Sequence, residues 1–295
     1  MKIFDCFMYF DEEMILDLRL NILHKYVDYF VIVESKFTHS GKQRELNFNI
    51  EKFNKFKDKI IYLVHDELPK KIIPIKESFS EIKKIETTVM NAVYRENSQR
   101  NFISKGLNNA KNEDLILISD VDEIPNLENF DFKKIKKKII FFNQDMFYYK
   151  FNLKLPDTIW IGTKACKKKD LKSPQWLRNI KDRKYAFYRI DVLFSEKKFI
   201  SCEIINNGGW HFTNLKTIEE IQHKLKSYLH HVEFDQNPLT PQEINKIIKN
   251  KIAIYDLNAD KRKNKIGGNK LENYPLHNLP KYLINNLEKY KQWMD

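Results

Sequence analysis

Hydrophobic positions in the first third of the chain alternate between strand-like runs and helix-like stripes. Strands are predicted at residues 3–8, 29–34 and 60–64. A helix is predicted over residues 12–24, where one face carries Met14, Ile15, Leu18 and Ile22. Residues 70–86, with Pro74 and scattered lysines, indicate an irregular loop near the sheet edge. A long helix over residues 91–110 then leads into an apolar run at residues 115–118, and this alternation predicts an α/β fold with a mixed, mostly parallel central sheet flanked by helices.

The pattern changes after residue 125 and becomes richer in strands. Strands are predicted at residues 139–151, 158–162, 185–190 and 199–205. A turn at residues 207–209 is followed by a helix that begins at Thr217, with a capping box to Glu220 and a buried stripe of Ile218, Ile221, Leu225 and Leu229. Residues 261–273 indicate a polar loop with a hinge at Gly267-Gly268. No repeat or linker is visible, so we expect one domain over residues 1–295.

Composition supports a globular chain with a large core. The chain has 295 residues, 42% of them hydrophobic, including 21 Phe and 14 Tyr. No run approaches the roughly 18 apolar residues of a membrane span, and the first residues lack the apolar core of a secretion signal. Three widely spaced cysteines without a CxxC pair indicate reduced thiols. These features predict a cytoplasmic protein.

The formal net charge of +12 raises the question of a polyanionic partner. The lysines are spread along the chain, and no RNA-binding aromatic signature or zinc-finger spacing accompanies them. Solvated lysine faces therefore explain the charge better than a specific nucleic-acid surface. A weak peripheral attraction to an anionic membrane stays open.

The most informative motif joins an apolar strand to a group of acids. Residues 115–118 are continuously apolar, and Asp120, Asp122, Glu123 and Pro125 follow them. In an extended segment the first two carboxylates project to the same side. Open α/β sheets bind ligands at the carboxyl ends of such strands, and carboxylates there suit Mg²⁺ or Mn²⁺ with a nucleotide diphosphate. The alternative is a solvated acidic turn.

Several ordered motifs together resemble glycosyltransferase family 17, which includes the bisecting β-1,4-mannosyl-glycoprotein N-acetylglucosaminyltransferases. The resemblance rests on residues 28–35 (DYFVIVES), Phe37-Thr38, Gly41, Gln99-Arg100-Asn101, residues 119–125 (SDVDEIP), residues 209–212 (GWHF) and residues 279–283 (LPKYL). It implies a GT-A-like nucleotide-sugar transferase fold and inverting, Mn²⁺-dependent (or Mg²⁺-dependent) transfer from a UDP-sugar, with N-acetylglucosamine as the expected sugar. Residues 1–125 would then form the nucleotide-sugar half, and residues 126–295 the acceptor side with C-terminal helices.

By position in the family pattern, the acids are similar to a DxD pair. The resemblance makes Asp122 the expected direct metal ligand and Asp120 the contact to the ribose or the metal shell, with Glu123 orienting both. His211 stands where a C-terminal histidine reaches the metal or the diphosphate, and a core histidine bonded to backbone is its alternative.

Other candidates keep two interpretations each. Glu34 binds the nucleotide or supports the loop at residues 36–44, and Arg100 pairs with the diphosphate or with an acid. Trp210 stacks on a sugar or uracil, or it is a core residue. Asp145 and Glu203 are candidates for the catalytic base because they lie near strand ends.

The expected partners are a UDP-sugar and a glycan or glycolipid acceptor. The eukaryotic family members are anchored Golgi enzymes that act on N-glycans, whereas this chain starts at its first strand, so we expect a different acceptor such as a surface-glycan precursor. Two rival hypotheses are a non-catalytic carbohydrate- or nucleic-acid-binding protein, and a nucleotidyltransferase that releases pyrophosphate.

Overall fold

The computed structural model describes residues 1–128, 130–181, 190–192, 194–198, 202–227, 234, 238–254 and 269–295. The strands are β1 (Ile3–Tyr9), β2 (Tyr29–Ser35), β3 (Ile60–His65), β4 (Leu115–Asp120), β5 (Glu123–Pro125), β6 (Ile139–Tyr148), β7 (Leu153–Lys167), β8 (Cys202–Ile205), β9 (Gly209–Thr213) and β10 (Glu272–Asn273). Over this part of the chain the α-helices are α1 (Glu13–Leu23), α2 (Glu81–Phe102), α3 (Pro174–Asn179), α4 (Ile218–Ser227), α5 (Pro241–Lys249) and α6 (Lys281–Ile284).

The strands form one mixed sheet in the order β3-β2-β1-β4-β7-β6-β9-β5, with β8 beside β6 and β10 beside β7. Strands β1 to β4 run parallel to one another. Strand β7 then pairs antiparallel with β4 and with β6. The result is the mixed α/β architecture flanked by helices that the sequence predicts, and it is compatible with the GT-A-like fold that the family resemblance implies.

Helices cover both faces of the parallel strands. On one face, α1 contributes Leu16 and Leu20 to a core that includes Phe7 and Phe30. On the other face, Ile103 and the α3 residues Trp176 and Leu177 pack against alternate strand residues such as Cys6 and Val31. Buried strands of this kind have largely continuous apolar runs, which is why the sequence predicts β1, β2 and β4 correctly. The edge strand β3 is only partly buried, but it also has an apolar run and is predicted correctly.

The connections change face between β1 and β4. The chain leaves β1 through α1 on one face and reaches β4 from the opposite face, after α2 and a 3₁₀ turn at Ile103–Leu107. Because β1 and β4 are neighbours, a crevice is expected between their carboxyl ends. Ligands of open α/β sheets bind at such a switch point.

The second half extends the sheet beyond β7. Strand β6 pairs in parallel with β8 along its first residues and with β9 along its last residues. Strand β5 pairs antiparallel with β9, opposing Glu123 to His211. The sheet therefore carries a C-terminal histidine back to the acidic loop.

Two predicted elements differ in their bounds. Helix α2 begins at Glu81, ten positions before the predicted start at residue 91, because Ser80 caps it by accepting a hydrogen bond from the backbone N–H of Lys83. Pro74 precedes this helix and does not interrupt it, so residues 81–86 are not part of an irregular loop. Strand β7 spans 15 residues, not the predicted five at 158–162. Pro156 and left-handed Asp157 interrupt the alternation of β7 without ending its pairing to β6.

The capping box of α4 is confirmed by hydrogen bonds from Glu220 N to Thr217 Oγ1 and from Thr217 N to Glu220 Oε2. Residues 185–189 and 199–201 of two predicted strands lie outside the described residues, as do Leu229 and the Gly267-Gly268 hinge. None of the helices in the described ranges combines the length and the apolar character needed to cross a membrane.

Candidate active site

The three predicted acids follow the last strand of the parallel group. Asp120 ends β4, Val121 and Asp122 form a turn, and Glu123 begins β5. The segment is therefore not extended through Asp122, contrary to the expectation from the spacing of the acids. The Asp120 carboxylate contacts two arginines, whereas the Asp122 carboxylate contacts a histidine.

Two arginines bind the carboxylate of Asp120. Arg100 Nη2 donates to Oδ1 and Arg178 Nη2 donates to Oδ2, each at 3.0 Å. Burial by itself would raise the pKa of Asp120, but the charges of Arg178 and Arg100 outweigh burial and hold the pKa well below its usual range. Asp120 is therefore ionised at neutral pH, with both oxygens bound by guanidinium groups.

Glu123 is fully buried and holds the acidic loop in place. Its carboxylate accepts hydrogen bonds from Trp160 Nε1 at 2.7 Å and from Arg178 Nη1 and Nη2 at 2.8 and 3.0 Å. It also accepts the backbone N–H of Asp120 at 2.8 Å. A carboxylate with this many donors is fixed in orientation, and it fixes the turn that carries Asp122.

Sequence reasoning missed Arg178, the residue that joins Asp120 to Glu123. Arg178 lies near the end of α3, whose first turn is capped by Ser173. The ammonium of Lys164 donates to the carbonyls of Arg178 and Ile180 at 2.6 and 2.5 Å and so holds the end of α3. Ser173-Pro174 is a recognisable helix start, but no local signal links Arg178 to acids more than 50 positions earlier.

Asp122 faces cations from the C-terminal part of the chain. Its Oδ1 lies 3.5 Å from His211 Nε2, and its Oδ2 lies 3.9 Å from Lys224 Nζ. Burial opposes ionisation of Asp122, but His211 and then Lys224 outweigh it, so the pKa is lowered. Burial likewise acts to lower the pKa of His211, and Asp122 reverses this effect and raises the pKa. The two side chains stabilise each other's charged forms.

Gly209 explains how His211 reaches Asp122. The backbone of Gly209 has a φ of +133°, and a Cβ atom there would lie 2.1 Å from the carbonyl oxygen of Ile124. The glycine thus allows β9 to approach β5 closely. The backbone N–H of Phe212 then donates to Asp122 O at 2.9 Å, which fixes β9 against the acidic turn.

A cavity of about 450 Å³ opens beside Asp122. It lies between the segment that follows β1, which contributes Asp11 and Glu12, and the acidic turn after β4. Lys216 and Lys224, from the C-terminal part of the chain, also line the cavity. The cavity occupies the crevice where the connections change face, and it is large enough for part of a nucleotide sugar.

The comparison with known families decides the class. The model of glycosyltransferase family 17 matches residues 1–294. The chain belongs to glycosyltransferase family 17. No curated protein matches this family 17 chain. Membership makes the chain a glycosyltransferase, and it implies that a nucleotide-sugar donor and a glycan acceptor bind to it.

Two predicted donor contacts of this family 17 chain bind protein groups in the structure. Glu34 is fully buried and accepts hydrogen bonds from Arg44 Nη2, Tyr62 OH and the backbone N–H groups of Asn47 and Phe48, at 2.7–3.0 Å. It therefore holds the loop that follows β2. Arg100 is buried and pairs with Asp120, the second of its two predicted partners.

Three other predicted residues lie away from the acid pair. Trp210 precedes His211 on β9, packs in the hydrophobic core on the opposite face, and donates from Nε1 to Asn278 O at 3.1 Å. Asp145 pairs in register with Trp210 and thus shares its face, where it binds Lys154 and Tyr274. Glu203 pairs with Ile140 near the start of β6. Among the described residues, neither Asp145 nor Glu203 lines the cavity beside Asp122.

The donor set near Asp122 fits a divalent ion only in combination with a bound ligand. Among the residues that the structure describes, no three His, Cys, Asp or Glu side chains group closely enough to hold a metal alone. Asp122 Oδ1 and His211 Nε2, 3.5 Å apart, are near enough to share one ion with ligand distances of roughly 2.1 Å. Mg²⁺-like ions commonly take one or two protein ligands and complete their shell with phosphates and water. Asp120, bound by two arginines, is better placed to support the site than to ligate.

Proposed function

We propose that this family 17 glycosyltransferase transfers a sugar, N-acetylglucosamine by the family resemblance, from a UDP-sugar to a hydroxyl group of a glycan or glycolipid. The transfer is metal-dependent and inverts the anomeric centre. The observation that carries the proposal is the position of Asp122 and His211, which face each other beside a cavity at the switch point between β1 and β4.

Asp122 and His211 would hold Mn²⁺ or Mg²⁺ in this proposal. Such an ion, when bound, offsets the negative charge that develops on the departing UDP. His211 must be neutral at Nε2 in order to ligate, so metal binding competes with the proton that Asp122 stabilises on the ring.

The surrounding side chains orient the acids and limit their motion. Arg178 and Glu123 fix the turn, and Arg100 holds Asp120 from the side of α2. Preorganised charge of this kind lowers the cost of arranging polar groups during the reaction. The acceptor hydroxyl loses its proton to a carboxylate base as it attacks the anomeric carbon.

The test measures UDP release from a panel of UDP-sugars with and without Mn²⁺, together with UDP binding by calorimetry. Asp122→Ala should abolish metal-dependent UDP binding and turnover, because it removes the carboxylate that faces His211. The matched control is Asp58→Ala, which changes an exposed carboxylate in the 3₁₀ helix before β3. The proposal fails if the wild-type protein shows no Mn²⁺-dependent binding of UDP, or if Asp122→Ala and Asp58→Ala bind it equally well.

A further inference from the structure

Two lysines from the C-terminal half reach across the crevice to the segments that follow β1 and β4. Lys216 Nζ lies 2.5 Å from Asp11 Oδ1, and Lys224 Nζ lies 3.9 Å from Asp122 Oδ2. Both lysines line the cavity beside Asp122. Each β-strand end at the switch point is therefore faced by one ammonium group.

The two ammonium groups differ in how well they are bonded. Lys216 is the more buried, with 8% of its side chain exposed, and it has a short contact with Asp11. Lys224 is 22% exposed, and 3.9 Å is too long for a hydrogen bond between its ammonium and Asp122. Lys224 therefore keeps donors that can bind a further anion in the cavity.

The charge of the cavity makes such a cation necessary for an anionic ligand. Its lining includes six carboxylates and four lysines, so it is negative overall. Two of the lysines, Lys52 and Lys289, are about half exposed and bind the acids Glu13 and Asp17 at the rim. Of the four lysines that line the cavity, the inner pair faces acids that follow the strands: Lys216 faces Asp11 after β1, and Lys224 faces Asp122 after β4.

Helix α4 contacts the N-terminal part of the chain at points on both sides of Lys224. The ring of His223 stacks on Phe10 with centroids 6.0 Å apart, and the backbone N–H of Ser40 donates to Ser227 O at 3.4 Å. Lys216 binds Asp11 just before the helix begins. These contacts hold α4 over the crevice and limit where the Lys224 ammonium can lie.

We propose that Lys224 binds the diphosphate of the nucleotide-sugar donor, and that Lys216 is a positioning residue that attaches the start of α4 to the segment after β1. This inference rests on the proposed function. A lysine ammonium is a compact charge with three donors, which suits phosphate oxygens without demanding a fixed fork geometry. Lys224 pairs loosely with Asp122 without the donor and contacts the diphosphate when the donor binds.

The test compares ligands that differ only in phosphate. UDP and uridine are titrated against the wild type, Lys224→Ala and Lys224→Gln in the presence of Mn²⁺, by calorimetry for UDP and by NMR for uridine. We expect either substitution to weaken UDP binding about tenfold, the size of one charge-assisted hydrogen bond. Uridine affinity should stay within about twofold, because uridine lacks the group that the ammonium binds.

The matched control is Lys226→Ala, two positions along α4, where the side chain is exposed. It removes the same charge from the molecule and should leave UDP affinity unchanged. Lys224→Arg should retain most of the affinity because it keeps a cation. Mn²⁺ affinity without nucleotide, measured by electron paramagnetic resonance, should not fall in Lys224→Ala, since the ammonium repels the ion.

Three results would overturn the assignment of Lys224. If Lys224→Ala and Lys224→Gln both bind UDP as tightly as the wild type does, Lys224 does not bind the diphosphate, and the proposed function is unaffected. Equal weakening of UDP and uridine would show a structural effect instead. Absence of Mn²⁺-dependent UDP binding in the wild type would overturn both the inference and the proposed function.

Discussion

Arg178 donates hydrogen bonds to both oxygens of Glu123 and to Oδ2 of Asp120, so one side chain orients two of the three acids. The planar guanidinium fits two carboxylates at once, which an ammonium cannot do. Glu123 is fully buried, so loss of Arg178 would leave a buried carboxylate whose remaining donors, among the described residues, are Trp160 Nε1 and the backbone N–H of Asp120. The acidic turn depends on this pairing.

Arg178→Lys is expected to lower the free energy of unfolding by about 2 kcal/mol, because it breaks a largely buried bidentate pair. It should also weaken Mn²⁺-dependent UDP binding, since the turn that carries Asp122 loses its anchor. Urea unfolding and calorimetry measure the two effects. Lys181→Ala, an exposed cation three positions later, is the control and should change neither value by more than about 0.5 kcal/mol. Wild-type behaviour of Arg178→Lys would show that the guanidinium geometry is unimportant.

At the scale of elements, the approach of β9 to β5 brings His211 to the acids. The register pairs Glu123 with His211 and Pro125 with Gly209. The atoms that a Cβ at Gly209 would meet belong to the backbone of residues 124–126 and cannot rotate away. The short strand pair therefore depends on a residue without a side chain.

Gly209→Ala is expected to destabilise the fold by about 3 kcal/mol and to weaken Mn²⁺-dependent UDP binding, because β9 must move away from β5. Thermal or urea unfolding and UDP calorimetry measure both. Asn207→Ala is a matched control at another left-handed position, with a φ of 52° and an exposed side chain. It should cost about 1 kcal/mol, since it adds conformational strain without a backbone clash. Equal costs for the two variants would mean that the close approach is irrelevant.

Helix α2 shows what element-scale patterns leave out. Its first turns carry Ile82, Ile85 and Val89 at i, i+3 and i+7, a helical spacing, but all three side chains are exposed. The Ser80 side chain caps the start of the helix by accepting a hydrogen bond from the backbone N–H of Lys83. The cap and this spacing together place the start of α2 ten residues before the predicted one.

At the scale of the whole molecule, folding stability depends on the protonation of Lys164. Burial, reinforced by the charge of Arg178, lowers the pKa of Lys164 to about 7. The ordinary value is 10.5, so the unfolded chain binds one more proton than the folded chain between about pH 7 and pH 10.5. Stability contributed by this group therefore rises with pH across that range and is lowest when the buried ammonium is protonated.

Lys164→Met removes this titration and should flatten the pH dependence. The free energy of unfolding of the wild type minus that of the variant is expected to increase between pH 6.5 and pH 8.5, by about 1 kcal/mol or more. Urea unfolding at a series of pH values measures the difference. Lys25→Met, which replaces an exposed lysine just after α1, is the control and should give a constant difference. A wild-type minus Lys164→Met difference that falls with rising pH would contradict the lowered pKa of Lys164.

The sequence by itself determined the parallel strands and the acidic loop. Buried strands produce continuous apolar runs, and a motif such as Asp120, Asp122 and Glu123 lies within a few residues of one of them. The family also followed from ordered motifs, and the family match confirms it. Such patterns can be recognised in the sequence because they depend on residues that are close together along the chain.

Only the tertiary structure decided which side chains meet the acids. Arg178 contacts Asp120 and Lys224 contacts Asp122, each from a helix far along the chain. The sequence around these two cations contains no pattern that predicts either contact. The same register that brings His211 to Asp122 places Trp210 and Asp145 on the opposite face. The pairing of distant strands determines which side chains are neighbours and which face of the sheet each one occupies. The hydrophobic pattern along the sequence does not specify this pairing.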